Sequence, residues 1–238
     1  MANKQQGYRY ENDWTKKELE DTLKIVNIGI TLPVNAEIKA NQTVLNLYEA
    51  KQYLMKASKI ALRDCTCRTA RKHCSHSLDT CFALNGLADF NIKNGVSKEI
   101  SLREAMGILE RAHEEGLVHM AYVLIKDSNP DLEVNSICCC CSCCCNMLAA
   151  TQRFGLAPHI LVSDTASVTD SSKCNLCGIC VDRCQFGARE INEGNLNYRP
   201  ERCMGCGLCI SKCPSLAISL VKKKSKNLYM GLPKQVNA

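Results

Sequence analysis

The sequence has few aromatic residues and no long run of apolar ones. Phe, Trp and Tyr make up 5% of its 238 residues, against 46% for all hydrophobic types. The longest apolar run, Leu117 to Ile125, is shorter than a membrane span and contains His119. The first fifteen residues are polar, whereas a secretory signal peptide has a basic start and then an apolar stretch. We therefore expect no membrane span and a reducing, intracellular location in the cytoplasm.

Several catalytic and nucleotide-binding motifs are also missing. The sequence contains no P-loop, no GxGxxG after a predicted strand, no GxSxG and no HExxH. It therefore predicts no nucleotide or flavin site in this chain.

Cysteine, in contrast, is abundant, with 19 residues. Such a density is usual in short secreted disulfide scaffolds, but this chain is too long for that class. In a reducing compartment, dense cysteine indicates metal ligands rather than disulfides. The odd number also excludes complete disulfide pairing within one chain.

The strongest motif is a run of four cysteines that occurs twice. The spacing C-x2-C-x2-C-x3-C spans Cys174–Cys184 and again Cys203–Cys213, which is typical of bacterial ferredoxins with two [4Fe-4S] clusters. In that pattern, the fourth cysteine of each run ligates the other cluster. The predicted ligand sets are Cys174, Cys177, Cys180 and Cys213 for one cluster, and Cys203, Cys206, Cys209 and Cys184 for the other.

Two zinc knuckles are the alternative interpretation of these eight cysteines. Zinc sites favour CxxC pairs separated by a spacer, however, and not runs of three plus one in tandem. One departure from the ferredoxin pattern is Gln185, which follows Cys184 where the motif has proline. We therefore expect a looser turn beside the second cluster.

Eleven further cysteines lie upstream in two groups. The first group spans Cys65–Cys81, and the second places seven thiols among residues 138–145. A cubane takes four thiolates, so the second group cannot all bind one cubane. We predict that ligands from both groups form one or two further iron–sulfur clusters, including a non-cubane or linked-cubane centre. The alternative is one structural Zn²⁺ with the remaining thiols free.

The order of these motifs carries a resemblance to a known family. CxCR at Cys65–Arg68 is followed by GLVH at Gly116–His119 and CxCCxCCC at Cys138–Cys145, and then by the ferredoxin motif. Over about residues 45 to 221 the sequence resembles 4Fe-4S-binding proteins of strict anaerobes. The resemblance implies iron–sulfur redox function in anaerobic metabolism, and it leaves out Cys139, where family members tend to have asparagine. The upstream ligands that it implies are Cys65, Cys67, Cys74, Cys81, Cys138, Cys140, Cys141, Cys143, Cys144 and Cys145.

Two other residues are candidates for a supporting role at a cluster. Arg68, beside Cys67, is predicted either to donate to cluster sulfur and raise its potential or to form a surface salt bridge. His119, on a predicted buried strand, is a core residue in the simpler interpretation, and a ligand or proton relay in the other.

Hydrophobic periodicity and helix-capping patterns predict an α+β fold. Capping boxes at Thr15–Glu18 and Ser101–Glu104 each start a helix, and Gly116 ends the second one. The first helix ends before Pro33, and the apolar run after Gly116 predicts a strand. Two more helices are predicted over about 43–62, with Val44, Leu47, Tyr48, Leu54 and Met55 buried, and over 146–154.

We divide the chain into three parts and a tail. Residues 163–173 are polar and predict a linker before the last part. The parts are an N-terminal helical segment at 1–62, a cysteine-rich iron–sulfur domain at 63–165, a ferredoxin-type domain at 166–222 and a basic tail at 223–238.

These features favour electron transfer as the function. The ferredoxin domain would accept low-potential electrons and pass them to the upstream centre, and then to a partner protein or a subunit of a larger complex. One alternative is an oxidoreductase with its own substrate at the upstream centre. Another is an iron–sulfur sensor or regulator that uses the N-terminal helices.

Acidic residues are absent from Lys222 onward, where five lysines lie. The formal net charge of +6 therefore belongs mainly to the tail. Bound clusters with thiolate ligands are net anionic and would make the rest of the protein acidic. We expect the tail to dock on a partner, and we expect no binding of nucleic acid.

Overall fold

The computed structural model describes residues 7–26, 42–122, 134–156, 160–161, 163 and 165–222. Helices and strands alternate in it, which confirms the α+β fold. No helix in these ranges is long and apolar enough to cross a membrane.

The helices are α1 (Lys16–Val26), α2 (Leu47–Lys56), α3 (Thr66–Arg71), α4 (Asn85–Lys93), α5 (Leu102–Glu114), α6 (Asn146–Gln152) and α7 (Ile179–Arg183), with a 3-10 turn at Pro200–Arg202. The strands are β1 (Gln42–Leu45), β2 (Ile60–Arg63), β3 (Cys81–Leu84), β4 (Lys98–Glu99), β5 (Val118–Tyr122), β6 (Ser136–Cys140), β7 (Ile160–Leu161), β8 (Thr165–Thr169), β9 (Arg189–Asn192), β10 (Asn195–Tyr198) and β11 (Ile218–Lys222).

A seven-stranded sheet lies at the centre of the upstream part of the chain. Its strands follow the order β4-β2-β3-β6-β5-β1-β7. All neighbouring pairs are antiparallel except β1 and β7, which are parallel. The register places Cys81 of β3 opposite Cys138 of β6. The sheet therefore brings the two upstream cysteine groups side by side.

The two faces of the sheet pack against different parts of the protein. Successive side chains of a strand point to opposite faces, and β5 and β6 follow this rule. One face packs with α2 and α5 in an apolar cluster that includes Leu54, Leu109 and Ile137. The other face packs with α6 and the ferredoxin-type unit, in a cluster that includes Val118 and Met120.

The local signals for helix ends are confirmed. The boxes Thr15–Glu18 and Ser101–Glu104 both form, each with reciprocal side-chain and backbone hydrogen bonds. Gly116 follows α5 with a φ of 86°, which is the left-handed conformation expected there. A third box at Asn46–Glu49 starts α2. This box was not predicted, because residue 46 lies inside the longer helix predicted over 43–62.

The predicted helix over 43–62 is wrong at both ends. Residues 42–45 and 60–63 are strands of the sheet, and only Leu47–Lys56 is helical. Asn46 separates strand from helix because its side chain caps α2. Tyr48 and Met55, predicted to be buried, are exposed, since the buried face of α2 follows Ala50 and Leu54.

Other predicted boundaries also need correction. The polar segment 163–173 is not simply a linker, because β8 lies within it and pairs with β11. The helix predicted over 146–154 ends at Gln152, and the strand after Gly116 is described as far as Tyr122. The end of α1 before Pro33, residues 123–125 and the tail at 223–238 lie outside the described residues.

The division into domains stays a prediction. β1 and β2 come from the segment assigned to the N-terminal part, yet they belong to the same sheet as β3, β5 and β6. The sheet thus takes strands from both sides of the boundary predicted after residue 62.

The contact between β8 and the ferredoxin loop yields a stability prediction. A Cβ atom at Gly205 would overlap the Thr165 carbonyl oxygen, whereas one at Gly194 would meet nothing within 4 Å. Both glycines have positive φ, 73° and 75°, so alanine at either costs about 1–2 kcal/mol of backbone strain. Gly205→Ala should cost about 1–3 kcal/mol more, because the overlap forces the packed backbone apart.

Thermal unfolding of the iron-loaded protein under anaerobic conditions measures this difference. Gly194→Ala serves as the matched control for backbone strain. Equal losses of stability in the two variants would contradict the role assigned to the close approach of Gly205 to β8.

Candidate metal centres

The first ferredoxin quartet lines a small cavity near the surface. Its walls include Cys174, Cys177, Cys180 and Cys213, which is the set predicted for one cluster. Gly178, in the left-handed conformation, starts α7 between the second and third of these cysteines. Cys177 is exposed to solvent. The backbone N–H of Ala217 donates to Cys213 Sγ at 3.3 Å, as is usual for a cluster ligand.

The second ferredoxin quartet lines a separate and more buried cavity. Its walls include Cys184, Cys203, Cys206 and Cys209, which is the set predicted for the other cluster. The backbone N–H of Ala188 donates to Cys184 Sγ at 3.2 Å. Burial raises the pKa of the Cys206 thiol above its usual range. These eight thiols therefore form two groups of four, with one sulfur in each group supplied by the other motif.

Arg189 lies between the two ferredoxin cavities, and the sequence analysis did not identify it. The side chain is buried and donates to Thr169 Oγ1 at 2.6 Å and to Ser167 Oγ at 2.9 Å. Burial raises the pKa values of Cys180 and Cys209, and the guanidinium charge of Arg189 opposes that rise. This cation therefore favours the thiolate form on both sides. A lone arginine between cysteine motifs gives no sequence signal for such a role.

The ten upstream thiols implied by the family resemblance fall into two spatial sets that share one residue. Seven of them line a cavity of about 280 Å³, which we call the chamber. β6 supplies two of the seven, the residue after β6 supplies one, α3 and its start supply two, β3 supplies one, and the start of α6 supplies one. The chamber cysteines are Cys65, Cys67, Cys81, Cys138, Cys140, Cys141 and Cys145.

Together with Cys141, the other three thiols form a tighter group, which we call the quartet. It consists of Cys74, Cys141, Cys143 and Cys144, whose sulfurs all lie within 4.8 Å of one another. Three of the separations are 3.7 Å for Cys74–Cys141 and 3.8 Å for Cys74–Cys144 and Cys143–Cys144. Like the chamber, the quartet combines thiols from both upstream sequence groups.

Cys139, the cysteine that the resemblance leaves out, lies apart from both sets. Because side chains alternate along β6, it points to the face opposite Cys138 and Cys140. Its Sγ lies 3.3 Å from His119 Nδ1, and His119 Nε2 lies 3.2 Å from His113 Nδ1. Burial lowers the pKa of His119 to about 3, so the ring is neutral at neutral pH. His119 is therefore a core residue with hydrogen-bond partners, and it does not line the chamber.

Arg68 is buried and forms no surface salt bridge, so that alternative is wrong. Its guanidinium donates to the carbonyl oxygens of Ser77 at 2.5 Å and of Cys139 at 2.9 Å. The side chain also lines the chamber. Its charge contributes to the lowered pKa values of Cys65 and Cys141.

Hydrogen bonds from neighbouring thiols favour the thiolate form of Cys65 and Cys141. Hydrogen bonds with Cys67 and Cys81 lower the pKa of Cys65 to about 3. Hydrogen bonds with Cys143 and Cys144 lower the pKa of Cys141 far below its usual range. Thiolates are the form that binds metal, so the donor chemistry of both sets fits a thiophilic metal centre.

The loop that carries the quartet is fixed by hydrogen bonds from distant residues. Trp14 Nε1 donates to Cys144 O at 2.9 Å, and His73 Nδ1 donates to Cys143 O at 2.8 Å. Arg153 donates to Ser142 O and forms a buried ion pair with Asp13 at 2.5 Å. The chain before α1 therefore holds this loop in place.

Gln185 connects the ferredoxin-type unit to the same loop. Its Oε1 accepts from Ser142 N–H at 3.2 Å and from Ser142 Oγ at 2.7 Å, and its Nε2 donates to Gly116 O at 3.0 Å. Arg183 adds hydrogen bonds to the last carbonyls of α5, those of His113 and Glu114, at 2.6 and 2.9 Å. The Gln185 side chain is therefore held at three points, and the looser turn expected after Cys184 stays a prediction.

Apolar packing joins the chamber to the second ferredoxin cavity. Met147, Phe186, Met204 and Leu208 form one buried cluster with residues of β5. Chamber and ferredoxin cysteines pack into this same cluster: Cys138, Cys140, Cys145, Cys184 and Cys206.

Comparison with known protein families matches residues 173–217 to the 4Fe-4S dicluster domain. No curated protein and no solved structure matches the chain. The protein is therefore an iron–sulfur protein with a ferredoxin-type domain, and the match favours iron–sulfur clusters over zinc for its eight cysteines. The upstream cysteines offer further metal sites. The resemblance to a specific family of anaerobes stays a prediction.

The Gln185 contacts generate a prediction for the junction between the two parts. Gln185→Ala leaves the buried N–H and hydroxyl of Ser142 without this acceptor, which should cost about 1–3 kcal/mol. Asn195→Ala is the control, because the exposed Asn195 side chain, at the start of β10, donates to the nearby Glu193 O. Chemical denaturation of the iron-loaded protein should show the loss in the first variant alone. An unchanged midpoint for Gln185→Ala would contradict the assigned role.

Proposed function

We propose that the protein is an electron carrier, or the redox subunit of a larger assembly, that passes electrons from its ferredoxin-type domain to the upstream chamber. The observation that carries this proposal is the apolar cluster into which both Cys184 and Cys206 of the second cavity and Cys140 and Cys145 of the chamber pack. Iron–sulfur clusters exchange single electrons at potentials set by hydrogen bonds, charge and exposure. Close, dry packing between two such sites favours transfer between them.

The first ferredoxin cavity is the entry side in this proposal. Cys177 is exposed there, and Leu176 and Ile179 beside it are 43% and 37% exposed. Small apolar patches of this kind suit the brief encounters of redox partners, which bury little surface. A protein donor would therefore reach this cavity before the others.

The second ferredoxin cavity is the intermediate site. Met204 and Leu208 are buried beside its cysteines and exclude water from the side that faces the sheet. Arg189, whose charge acts on cysteines of both cavities, stabilises thiolates on either side of the step between them. The chain thus supplies a short, shielded path from the surface to the sheet.

The chamber is the receiving site, and we propose an iron–sulfur centre there. Its seven thiols come from both upstream groups, and seven exceed the four that a cubane takes. Arg68 supplies a buried positive charge beside the chamber that stabilises an anionic centre. A second partner would take electrons from this side.

The order of the sites can be tested by removing the intermediate one. With Cys206→Ser, reduction of the upstream centre by a reduced protein donor should slow by at least about 10-fold, since Cys206 is a predicted ligand and loss of even an outer-shell partner costs about 10- to 100-fold. Reduction of the first site should stay fast. Rapid freeze-quench electron paramagnetic resonance follows both, with Cys139→Ser as the control. An upstream centre that is reduced at the wild-type rate in Cys206→Ser would contradict the route.

Iron and acid-labile sulfide counts test the chamber centre itself. The wild-type protein, purified anaerobically, should contain more iron and more sulfide than the two ferredoxin clusters supply. Cys67→Ser and Cys140→Ser should lose iron and sulfide together, since each removes a chamber thiol. Cys139→Ser should lose neither, because its side chain faces the other side of the sheet. About eight irons and eight sulfides per wild-type chain, the content of two cubanes, would contradict an iron–sulfur centre in the chamber.

A further inference from the structure

The quartet differs in geometry from every other cysteine set in the described part of the chain. Three of its sulfur–sulfur separations are 3.7, 3.8 and 3.8 Å. All four sulfurs lie within 4.8 Å of one another. The four sulfurs are therefore close together, although no disulfide bond joins any two of them.

Sulfur separation distinguishes a single metal ion from a cluster. A tetrahedral ion with metal–sulfur bonds of about 2.3 Å places its ligand sulfurs about 3.8 Å apart. In a cubane, four irons and their inorganic sulfides lie between the cysteine sulfurs, so that these sulfurs are farther apart. The quartet has the separations of the first case.

The ferredoxin quartets provide an internal comparison. They belong to the fully described range 165–222 and line the two cavities expected for cubanes. Yet no three of their sulfurs lie within 4.8 Å of one another, and the same is true of the chamber cysteines. The chain therefore contains cysteine sets with widely spaced sulfurs, as a cluster needs, and one set with closely spaced sulfurs, as a single ion needs.

The surroundings of the quartet also suit a closed structural site. Cys141, Cys143 and Cys144 are buried, and Cys74 is half-buried. The carbonyl oxygen of Cys144 accepts a hydrogen bond from Trp14, and that of Cys143 accepts one from His73. The ligand loop is therefore held in position by residues that do not depend on the metal.

We propose that Cys74, Cys141, Cys143 and Cys144 bind one tetrahedral metal ion, Zn²⁺ or Fe²⁺, at a site separate from every iron–sulfur cluster of the protein. Four thiolates in tetrahedral geometry suit either ion. The site does not depend on the proposed electron transfer. It assigns four of the ten upstream thiols to a single ion and leaves six for the chamber.

The position of the quartet gives this ion a structural role. The loop 141–144 lies between Cys140 and Cys145, which both line the chamber. Cys74 ties this loop to the segment after α3, which carries Cys65 and Cys67 of the chamber at its start. Cys141 itself lines the chamber, so the ion lies at the edge of the chamber and fixes the positions of the neighbouring chamber thiols.

Metal and sulfide analysis of matched variants tests the assignment. Cys144→Ser removes a quartet ligand, and Cys177→Ser removes a ligand of the first ferredoxin quartet. Cys144→Ser should lose about one metal ion per chain with no loss of sulfide. Cys177→Ser should lose iron and sulfide together and keep the single ion. Cys139→Ser should match the wild type. Parallel loss of iron and sulfide in Cys144→Ser, or no loss of metal, would overturn the proposal.

X-ray absorption on the wild-type protein provides a test that needs no variant. Protein from zinc-supplemented and from iron-only media separates the two candidate ions. In the zinc arm, the zinc edge should show four sulfur neighbours at about 2.3 Å and no nearby metal. In the iron-only arm, Mössbauer spectra should contain one ferrous tetrathiolate site in addition to the clusters. A zinc-free protein in the first arm together with no such iron site in the second would overturn the proposal.

Discussion

Repulsion among crowded thiolates is the constraint on which the upstream half of this structure depends. A charge in a protein interior is costly unless another charge or hydrogen bonds compensate it. Sulfurs at 3.7–3.8 Å in the quartet leave no space for solvent between them. A bound metal ion would provide this compensation, and the free energy of metal binding would then become free energy of folding. The buried guanidinium of Arg68 adds positive charge beside the chamber.

Three backbone conformations in succession distribute the seven thiols of residues 138–145. Strand β6 turns Cys138 and Cys140 to the chamber and Cys139 to the opposite face. The turn that follows presents three thiols to the quartet, with the Cys145 N–H donating to Cys141 O at 3.0 Å. At the start of α6 the chain returns to the chamber, where Cys145 is the residue before the first helical turn. A dense cysteine run can thus serve two sites because its backbone changes direction twice within eight residues.

Features that depend on short stretches of sequence could be predicted. The capping boxes at Thr15–Glu18 and Ser101–Glu104 need residues three positions apart, and the ferredoxin spacing needs only its own loops. The helix over 43–62 could not be predicted correctly, because residues 42–45 and 60–63 become strands only through pairing with distant partners. The two upstream cysteine groups meet because β3 pairs with β6, which places Cys81 beside Cys138. That register is a property of the folded sheet, so cysteine spacing alone gives no access to it.

The residue at position 185 shows how a departure from a motif can take on a new role. Proline, which the motif has there, carries no backbone N–H and no polar side chain. Glutamine supplies an acceptor for Ser142 and a donor for Gly116 from the residue directly after Cys184. The ferredoxin-type unit is thereby fixed to the quartet loop beside a cysteine of its own second cavity. Since Cys140 and Cys145 flank that loop, the same contact that joins the two parts also sets the position of the chamber relative to the ferredoxin cysteines. Mechanical attachment and the proposed electron route therefore depend on one short stretch of the interface.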